Sequence, residues 1–342
     1  MSETYRIGFT QGDLNGIGPE VLANVLLDKD LSERMHPIVF GSPTHLLAYW
    51  KALGLAADVI DSTTLLLEGR KIAIEPTASD AVASDAIASD AVPSFGTIDG
   101  AAGCLAGDAI VAAVAHALDG TIDAIVTMPI TKEGLNRGGF DYPGHTEMLA
   151  ELTGGSNPLM VLASNGLRVA LLTIHLPIAV AVRSIDQELI IMRARTFEAA
   201  LRIDWGIERP RIAILGLNPH AGENGSIGTE EKMIYRPAIE RLREEGIDIS
   251  DPYPADAFFS RSGWDRYDGV LASYHDQGLI PLKMFANGGG VNVTCGLPIV
   301  RTSPDHGTAF DIAGKGIADA RSAIEATSMA IDIVRRRRSS VR

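Results

Sequence analysis

The chain is poor in cysteine and has no long apolar run. Cys104 and Cys295 are the only cysteines in its 342 residues. One distant pair supports neither a disulfide framework nor a cysteine-based zinc site, so we expect a protein of the reducing cytoplasm. No stretch approaches the ~18 uninterrupted apolar residues of a membrane-spanning helix. The first residues, MSETYRIGFTQ, also lack the basic and apolar regions of a secretory signal.

Basic residues are outnumbered as well. The chain has 30 Lys and Arg against 43 Asp and Glu, a net charge of −13. Proteins that bind nucleic acid usually carry the opposite balance, so we expect no nucleic-acid partner and no membrane partner. The basic run Arg335 to Arg338 fits the solvated end of a C-terminal helix. With 46% hydrophobic and 21% charged residues, disorder as the main state is excluded, and the length favours about two domains.

Short runs rich in Val and Ile alternate with longer amphipathic segments. The pattern predicts strands at Arg6–Thr10, Pro37–Gly41, Ala124–Met128, Arg168–Ile174, Arg211–Leu217, Gly269–Tyr274 and Val291–Cys295. It predicts helices at Pro19–Leu27, Ala101–Leu118, Thr146–Thr153, Gln187–Asp204, Glu230–Glu245 and Ser322–Arg337. Nearly continuous apolar strands separated by helices are typical of an α/β protein with largely parallel sheets.

One segment departs from this alternation. Residues 78–92 repeat ASDAV, ASDAI and ASDAV, and three such short copies are too few for a solenoid. Small and acidic residues in alternation bury little apolar surface. We therefore expect residues 76–95 to form an exposed or poorly ordered insertion.

Three histidines occupy the same topological position. His175, His220 and His275 each follow a predicted strand, where α/β proteins place their ligands. A histidine after a single strand is usually a hydrogen-bonded structural residue, whereas three with an open position make a catalytic metal site. Because the gaps between the three are long, their spacing leaves both interpretations open.

Further polar residues stand at comparable places. His145 and Thr146 precede a helix, either as its cap or as donors to an anion. Lys283 and Arg301 are natural partners for a phosphate or carboxylate, although such residues often form surface ion pairs. The glycine-rich stretch 11–20 is not in the order G-x-G-x-x-G and has no Walker lysine, so it does not predict a Rossmann dinucleotide site.

Several long motifs in one order resemble the 4-hydroxythreonine-4-phosphate dehydrogenase family of pyridoxal phosphate biosynthesis. The resemblance covers nearly the whole chain, from Gly8 to about Ile331. Its carriers are GDLNGIGPE (12–20), PGHTE (143–147), IHLP (174–177), GLNPHAGENG (216–225), YHDQG (274–278) and GVNVTCGLPIVRTSPDHGTAFDIAGKG (290–316).

The resemblance implies a fold like that of isocitrate and isopropylmalate dehydrogenases, with two α/β domains and an active site in the cleft between them. It implies a first domain of residues 1–128 and 294–342 and a second of residues 129–293 that makes most contacts of a homodimer. One metal ligand in each site is then expected to come from the partner subunit.

The family's site residues transfer position by position. Its three metal-binding histidines match His175, His220 and His275, and the metal is a divalent ion such as zinc, magnesium or cobalt. Its substrate-binding residues match His145, Thr146, Lys283, Asn292 and Arg301. The loop that resembles the family's NAD-binding loop contains Asp305, His306, Gly307, Thr308 and Gly314, with NADP left open. Lys283 and Asp276 are both candidates for catalytic proton transfer.

The implied reaction is the NAD- and metal-dependent oxidation of 4-phosphooxy-L-threonine at C3, followed by decarboxylation to 3-amino-2-oxopropyl phosphate. The segment PITKEGL (129–135) varies among relatives, which leaves a 4-phospho-threonate or erythronate dehydrogenase as an alternative. The same histidines would also suit a metal-dependent hydrolase or lyase without a redox step. A non-catalytic protein that binds a phosphorylated ligand is the third alternative.

Overall fold

A computed structural model of the chain describes residues 4–77, 93–155, 157–260 and 263–340. The ASDA repeat, residues 78–92, lies outside these ranges, so its expected exposure stays a prediction. The chain divides into two compact units, and each is discontinuous in sequence. The first unit is Met1–Pro158 with Leu297–Val334, and the second is Leu159–Gly296 with Arg335–Arg342.

The α/β fold predicted from the sequence is present. The strands, in chain order, are β1 (Tyr5–Thr10), β2 (Met35–Phe40), β3 (Ala57–Asp61), β4 (Thr64–Leu67), β5 (Arg70–Glu75), β6 (Ala124–Thr127), β7 (Leu159–Ser164), β8 (Leu167–Leu171), β9 (Arg211–Ile214), β10 (Asp248–Ile249), β11 (Gly269–Ala272), β12 (Val291–Cys295) and β13 (Arg301–Pro304).

The helices alternate with these strands. They are α1 (Gly18–Leu27), α2 (Lys29–Ser32), α3 (Pro43–Ala52), α4 (Gly100–Leu118), α5 (Lys132–Arg137), α6 (His145–Leu152), α7 (Ile178–Ser184), α8 (Gln187–Ile203), α9 (Arg236–Glu244), α10 (Ala255–Ser260), α11 (His275–Ala286) and α12 (Arg321–Ser340). A left-handed turn at Pro219–Gly225, a 3₁₀ segment at Gly263–Arg266 and a π-helical turn at Glu231–Tyr235 complete the regular structure of the described ranges.

The sheet of the first unit has the strand order β13-β6-β1-β2-β5-β4-β3. Its first five strands are parallel, and β4 and β3 continue it as antiparallel neighbours. Because β1, β6 and β13 run in the same direction, the segments that follow them lie at one edge of the sheet. That edge is where open parallel sheets bind ligands.

Helix α4 packs closely within the first unit. A Cβ added at Gly103 would lie 1.8 Å from the carbonyl oxygen of Gly134 in α5, so only glycine permits this approach. By length and composition alone, α4 could cross a membrane. Half of its most apolar window is buried inside the protein, which is the pattern of a core helix.

The first unit includes residues 129–158, whereas the boundary expected from the resemblance lies at 128/129. Leu135 of α5 and Met148 and Leu149 of α6 are fully buried in one apolar cluster with Ile110 and Val114 of α4. Burial of these side chains joins α5 and α6 to the core around α4.

The sheet of the second unit has the order β10-β9-β11-β8-β7-β12. The first four strands are parallel, and β7 is antiparallel to both of its neighbours. Strands β8, β9 and β11 are therefore adjacent, with their carboxyl ends at the same edge. These are the strands that precede the three histidines His175, His220 and His275.

The C-terminal basic run is only partly solvated. The Arg337 guanidinium donates to Asp204 at 2.6 Å, and Arg336 donates to the Asp204 carbonyl at 3.1 Å. The Asp204 side chain is 3% exposed, so this ion pair is largely shielded from water. Two of the four arginines thus anchor the end of α12 to residues of the second unit.

Candidate active site

A cavity of about 420 Å³ opens at the carboxyl ends of β8 and β11 in the second unit. His175 and His275 line it together with Tyr274 and Asp276. The two imidazole rings are 5.8 Å apart between centroids and tilted by 46°. The sequence-based expectation that these two histidines lie at one sheet edge is met by this geometry.

The chemistry of this donor pair suits a divalent metal ion. Two imidazoles bound to one tetrahedral ion through Zn–N bonds of about 2.0–2.1 Å have ring centroids roughly 5 Å apart. The observed 5.8 Å is close to that separation. Imidazole nitrogens also bind cobalt and several other divalent ions, so the pair does not select one metal.

Asp276 is in contact with one member of the pair. Its Oδ1 lies 2.7 Å from Nδ1 of His275, while the Asp276 side chain is 72% exposed. A carboxylate on Nδ1 fixes the tautomer that leaves Nε2 free as a metal ligand. This contact favours an orienting function for Asp276 beside its predicted function in proton transfer.

The two functions of Asp276 are separable by kinetics. We expect Asp276→Ala to weaken metal binding about 10–100-fold, because His275 loses its orienting partner. If Asp276 acts only through His275, kcat recovers at saturating metal. The measurement is a titration of kcat with Co²⁺ at a fixed, saturating concentration of substrate. A kcat that stays low at saturating metal assigns Asp276 to proton transfer instead.

His220 lies on a strained segment. It follows Asn218 and Pro219 after β9, is exposed, and begins six consecutive residues with positive φ, which end at Gly225. The left-handed conformation costs roughly 1–2 kcal/mol for each residue other than glycine and normally occurs singly. Such strain persists only where surrounding contacts impose it, and it is concentrated at functional sites.

The three histidines do not meet within a single chain. Across the described ranges, no three His, Cys, Asp or Glu side chains are close enough together to hold a metal ion. His175 and His275 form the pair, and His220 is on the adjacent loop. A ligand from a partner subunit was expected from the resemblance, and that expectation stays a prediction.

Two further predicted substrate ligands belong to the second unit. Lys283 is exposed on α11, seven residues after Asp276, so the two side chains project from the same side of the helix. Asn292 is on β12, and its buried Oδ1 has no hydrogen-bond partner in the described part of the chain. An unsatisfied buried amide oxygen is a group that a ligand can complete.

Arg301 is the most deeply buried cation of the first unit. It is 2% exposed, and Nη2 and Nε donate to Oγ1 of Thr127 at 2.7 and 3.2 Å. Burial lowers the pKa of the guanidinium to about 9, so it remains charged at neutral pH. Thr127 ends β6 at the edge where open parallel sheets bind ligands, and the sequence did not single it out. Its position directly at a strand end is the signal that would have identified it.

His145 and Thr146 form the first turn of α6. The N-cap is Gly144, so the interpretation of Thr146 as the cap residue is wrong. Burial and the charge of Arg301 hold the pKa of His145 well below its usual value, which keeps the ring neutral at pH 7. Its Nε2 is buried and lacks a hydrogen-bond partner among the residues that the structure describes. A neutral imidazole and a free helix N-terminus can both donate to an anion.

The predicted cofactor loop follows β13 in the first unit. Asp305 receives a hydrogen bond from the Ser322 hydroxyl at 3.2 Å, and Thr308 is 7% exposed. His306 lies beside the Gly307 carbonyl at 3.1 Å, and Gly314 adopts a φ of +74°. The loop thus has side chains fixed by hydrogen bonds and burial, and at Gly314 its backbone packs on the Phe95 ring, 2.6 Å from where a Cβ would lie.

The motif at 12–20 supports this loop, a function that its sequence did not reveal. The amide of Ile17 donates to the Thr308 carbonyl at 2.9 Å. The carboxylate of Glu20, 3% exposed, accepts from the Ala318 amide at 2.7 Å. The Tyr49 hydroxyl donates to the Gly16 carbonyl at 2.7 Å. These bonds fix the loop that contains Thr308 against α1.

The predicted site residues therefore fall into two groups. His145, Thr146, Arg301 and the loop 305–316 belong to the first unit, whereas the second unit contains the three histidines, Asp276, Lys283 and Asn292.

Comparison with known proteins identifies the relatives of this chain. Residues 33–330 match the family model "Pyridoxal phosphate biosynthetic protein PdxA". A 4-hydroxythreonine-4-phosphate dehydrogenase of Bacteroides thetaiotaomicron is 42% identical over 97% of this chain and 89% of its own. A D-threonate 4-phosphate dehydrogenase of Cupriavidus necator is 42% identical over 97% of this chain and 98% of its own.

Solved structures agree with the sequence relatives. A crystal structure of 4-hydroxythreonine-4-phosphate dehydrogenase from Klebsiella pneumoniae superposes with a TM-score of 0.81, at 37% identity, and covers 97% of this chain and 100% of the other. The resemblance inferred from the motifs is confirmed. The chain belongs to the PdxA family of pyridoxal phosphate biosynthetic proteins.

Proposed function

We propose that the chain is an NAD- and divalent-metal-dependent dehydrogenase of 4-phosphooxy-L-threonine in pyridoxal 5'-phosphate synthesis. It would oxidise C3 and release carbon dioxide to give 3-amino-2-oxopropyl phosphate. The observation that carries the proposal is the imidazole pair of His175 and His275 beside a cavity, with Asp276 on Nδ1 of His275. Relatives with 42% identity that are named as this dehydrogenase support it.

His175, His220 and His275 would hold the metal ion. When bound, the metal supplies a Lewis acid for the reacting oxygen of the substrate, and NAD supplies the hydride acceptor. The chain itself orients the ligands. Asp276 holds the His275 ring, and the segment 218–225 holds His220. The exposed Lys283 on the same face as Asp276 is the second candidate for moving a proton.

Binding of the charged substrate would use His145, Thr146 and Arg301 together with Lys283 and Asn292. Arg301 is held by Thr127 and presents a charge with little surrounding water, so its attraction for an anionic oxygen is strong. Neutral His145 donates without adding charge. Such fixed partners lower the entropic part of the activation barrier.

The cofactor would lie on Asp305, His306, Gly307, Thr308 and Gly314. The bonds from Ile17 and to Glu20 fix this loop before NAD binds, so little loop ordering is left to oppose binding.

Large apolar side chains are exposed on the second unit. They suit a cytoplasmic enzyme that forms a homodimer. Leu176 and Ile178 are 45% and 57% exposed at the cavity. Ile280, Met284 and Phe285 on α11 are 59%, 79% and 41% exposed. Exposed apolar groups of this size mark interaction surfaces. A second copy of the chain would cover them.

The proposal is tested by following NADH formation with purified protein, NAD, Co²⁺ and 4-phosphooxy-L-threonine. We expect turnover that a chelator abolishes and added metal restores, because the metal takes part in catalysis. Sedimentation of the same sample should give twice the 36.3 kDa chain mass.

Parallel assays separate the alternatives. A preference for D-threonate 4-phosphate would keep the metal and the redox step but replace the substrate, as the name of the Cupriavidus relative suggests. Phosphate or carbon dioxide release without NADH would contradict the proposal and favour a hydrolase or lyase.

A further inference from the structure

The segment that presents His220 is held by a contact outside the predicted site. Four residues other than glycine, His220, Ala221, Glu223 and Asn224, adopt left-handed backbone around Gly222. Such a run is not stable alone, because each Cβ crowds the next carbonyl oxygen. The bonds within the segment, Ala221 N to Asn218 O at 3.1 Å and Ile227 N to Gly222 O at 3.2 Å, close it locally but do not attach it to the fold.

Attachment is provided chiefly by Glu231, with one further bond from Asn218 Nδ2 to Glu230 at 2.8 Å. The Glu231 side chain belongs to the π-helical turn after the loop and is 4% exposed. One carboxylate oxygen accepts from the Asn218 backbone amide at 2.7 Å, and the other accepts from Asn218 Nδ2 at 2.9 Å. Both oxygens of Glu231 are thus used as acceptors two residues before His220.

The left-handed run also packs directly on this carboxylate. A Cβ added at Gly222 would lie 2.5 Å from Oε2 of Glu231, so the backbone of the loop rests on the carboxylate itself. Gly222 has φ +76°, which glycine adopts without strain. The contact at Asn218 and the contact at Gly222 lie on either side of His220.

The base of this contact is rigid. Tyr235, at the end of the same π-helical turn, is fully buried and donates to Ser273 Oγ at 2.7 Å. Ser273 in turn donates to the Leu215 carbonyl at 3.1 Å. The Gln277 side chain accepts from the Ser273 amide and donates to the Gly216 carbonyl, both at 2.7 Å. The start of the His220 loop and the residues beside His275 therefore share one hydrogen-bond network.

We propose that Glu231 is a positioning residue that holds the His220 imidazole where it can ligate the metal. The inference rests on the proposed function, in which His220 is a ligand. This positioning function requires a carboxylate, because Asn218 presents two donors, its backbone amide and Nδ2, and each needs an acceptor. A glutamine has the same shape but would place its NH₂ group, itself a donor, against one of them. Glu231 does not touch substrate or metal, and it acts through the backbone of the loop.

The test compares Glu231→Gln with Glu240→Gln in the full-length protein. Glu240 is exposed on α9, so its variant makes the same change of charge without touching the loop. Each protein is stripped of metal and titrated with Co²⁺, and visible absorption and calorimetry are recorded. We expect Glu231→Gln to raise the Co²⁺ dissociation constant at least about tenfold and to alter the cobalt spectrum, with Glu240→Gln unchanged.

Two reference variants make the result decisive. Gly222→Ala pushes the loop away from the carboxylate without removing any charge, and we expect the same weakening of Co²⁺ binding. It replaces Glu231→Gln as the deciding variant if that protein does not fold by circular dichroism. His220→Ala reports the contribution of the ligand itself.

Wild-type Co²⁺ affinity and spectrum in both Glu231→Gln and Gly222→Ala, with loss in His220→Ala, would overturn the positioning function and leave the metal site intact. Wild-type Co²⁺ binding in His220→Ala would instead overturn the assignment of His220 as a ligand, and the inference on Glu231 with it.

Discussion

Replacement of His275 by alanine is expected to lower kcat by about 10³-fold or more, because several kcal/mol of metal assistance are lost with a ligand. His275 forms the imidazole pair with His175 at 5.8 Å and receives the Asp276 contact. The bound metal per chain should fall in parallel. The measurements are kcat at saturating substrate and NAD, and metal content by mass spectrometry.

His36→Ala is the matched control for this variant. His36 is exposed on β2 in the first unit, where its Nε2 lies 3.0 Å from the Thr4 hydroxyl. It should keep both turnover and metal. Full metal content together with full turnover in His275→Ala would refute the assignment of His275 as a ligand.

Arg301→Met is expected to lower kcat/KM by about 10³-fold while the midpoint of thermal unfolding changes little. The loss follows from removal of the desolvated charge that, under the proposed function, attracts the anionic substrate. Stability is retained because an apolar side chain of similar volume replaces a buried guanidinium that is costly to desolvate. Initial rates across substrate concentrations and calorimetric unfolding measure the two effects separately.

Arg209→Met serves as the comparison, since Arg209 is exposed in the loop before β9. It should change neither quantity. If Arg301→Met instead loses stability as steeply as activity, the guanidinium is a structural group and its assignment to substrate binding is wrong.

Most strands buried on both faces were predictable from sequence, whereas β7, β13 and the strands at the sheet margins were not. Strands β6 and β11 were expected because their runs of Val, Ile, Leu and Ala are nearly continuous, and β1 and β12 have an apolar residue at every second position. Strands β3 to β5 were not predicted because they lack a continuous apolar run. In β4 and β5 buried residues alternate with more exposed ones, and in β3 four of five residues are exposed. β13 escaped because its sequence, RTSP, is polar although all four residues are buried.

Site residues were predictable where a histidine follows a strand. They were less predictable where the function of a residue depends on a contact with a residue distant in sequence. His175 and His275 follow directly from their positions after β8 and β11. Thr127 and Glu231 required the structure, because their partners Arg301 and Asn218 are 174 and 13 residues away in sequence. No local sequence pattern predicts that Thr127 accepts hydrogen bonds from Arg301 or that Glu231 supports a left-handed loop. Helix α11 was also missed, since Gly278 and Pro281 interrupt its pattern.

The parallel pairing of β13 with β6 has a consequence for synthesis of the chain. Strand β6 is complete at Thr127, but its neighbour β13 begins at Arg301, so the first unit has an open sheet edge until most of the chain has left the ribosome. Open edges of this kind are sites of wrong pairing and aggregation. The same strand brings Arg301 to Thr127. A nascent or truncated chain that ends before β13 therefore lacks the partner strand of β6 and the Arg301 charge together, so the pairing of β6 and the charge proposed to bind substrate are gained in one step.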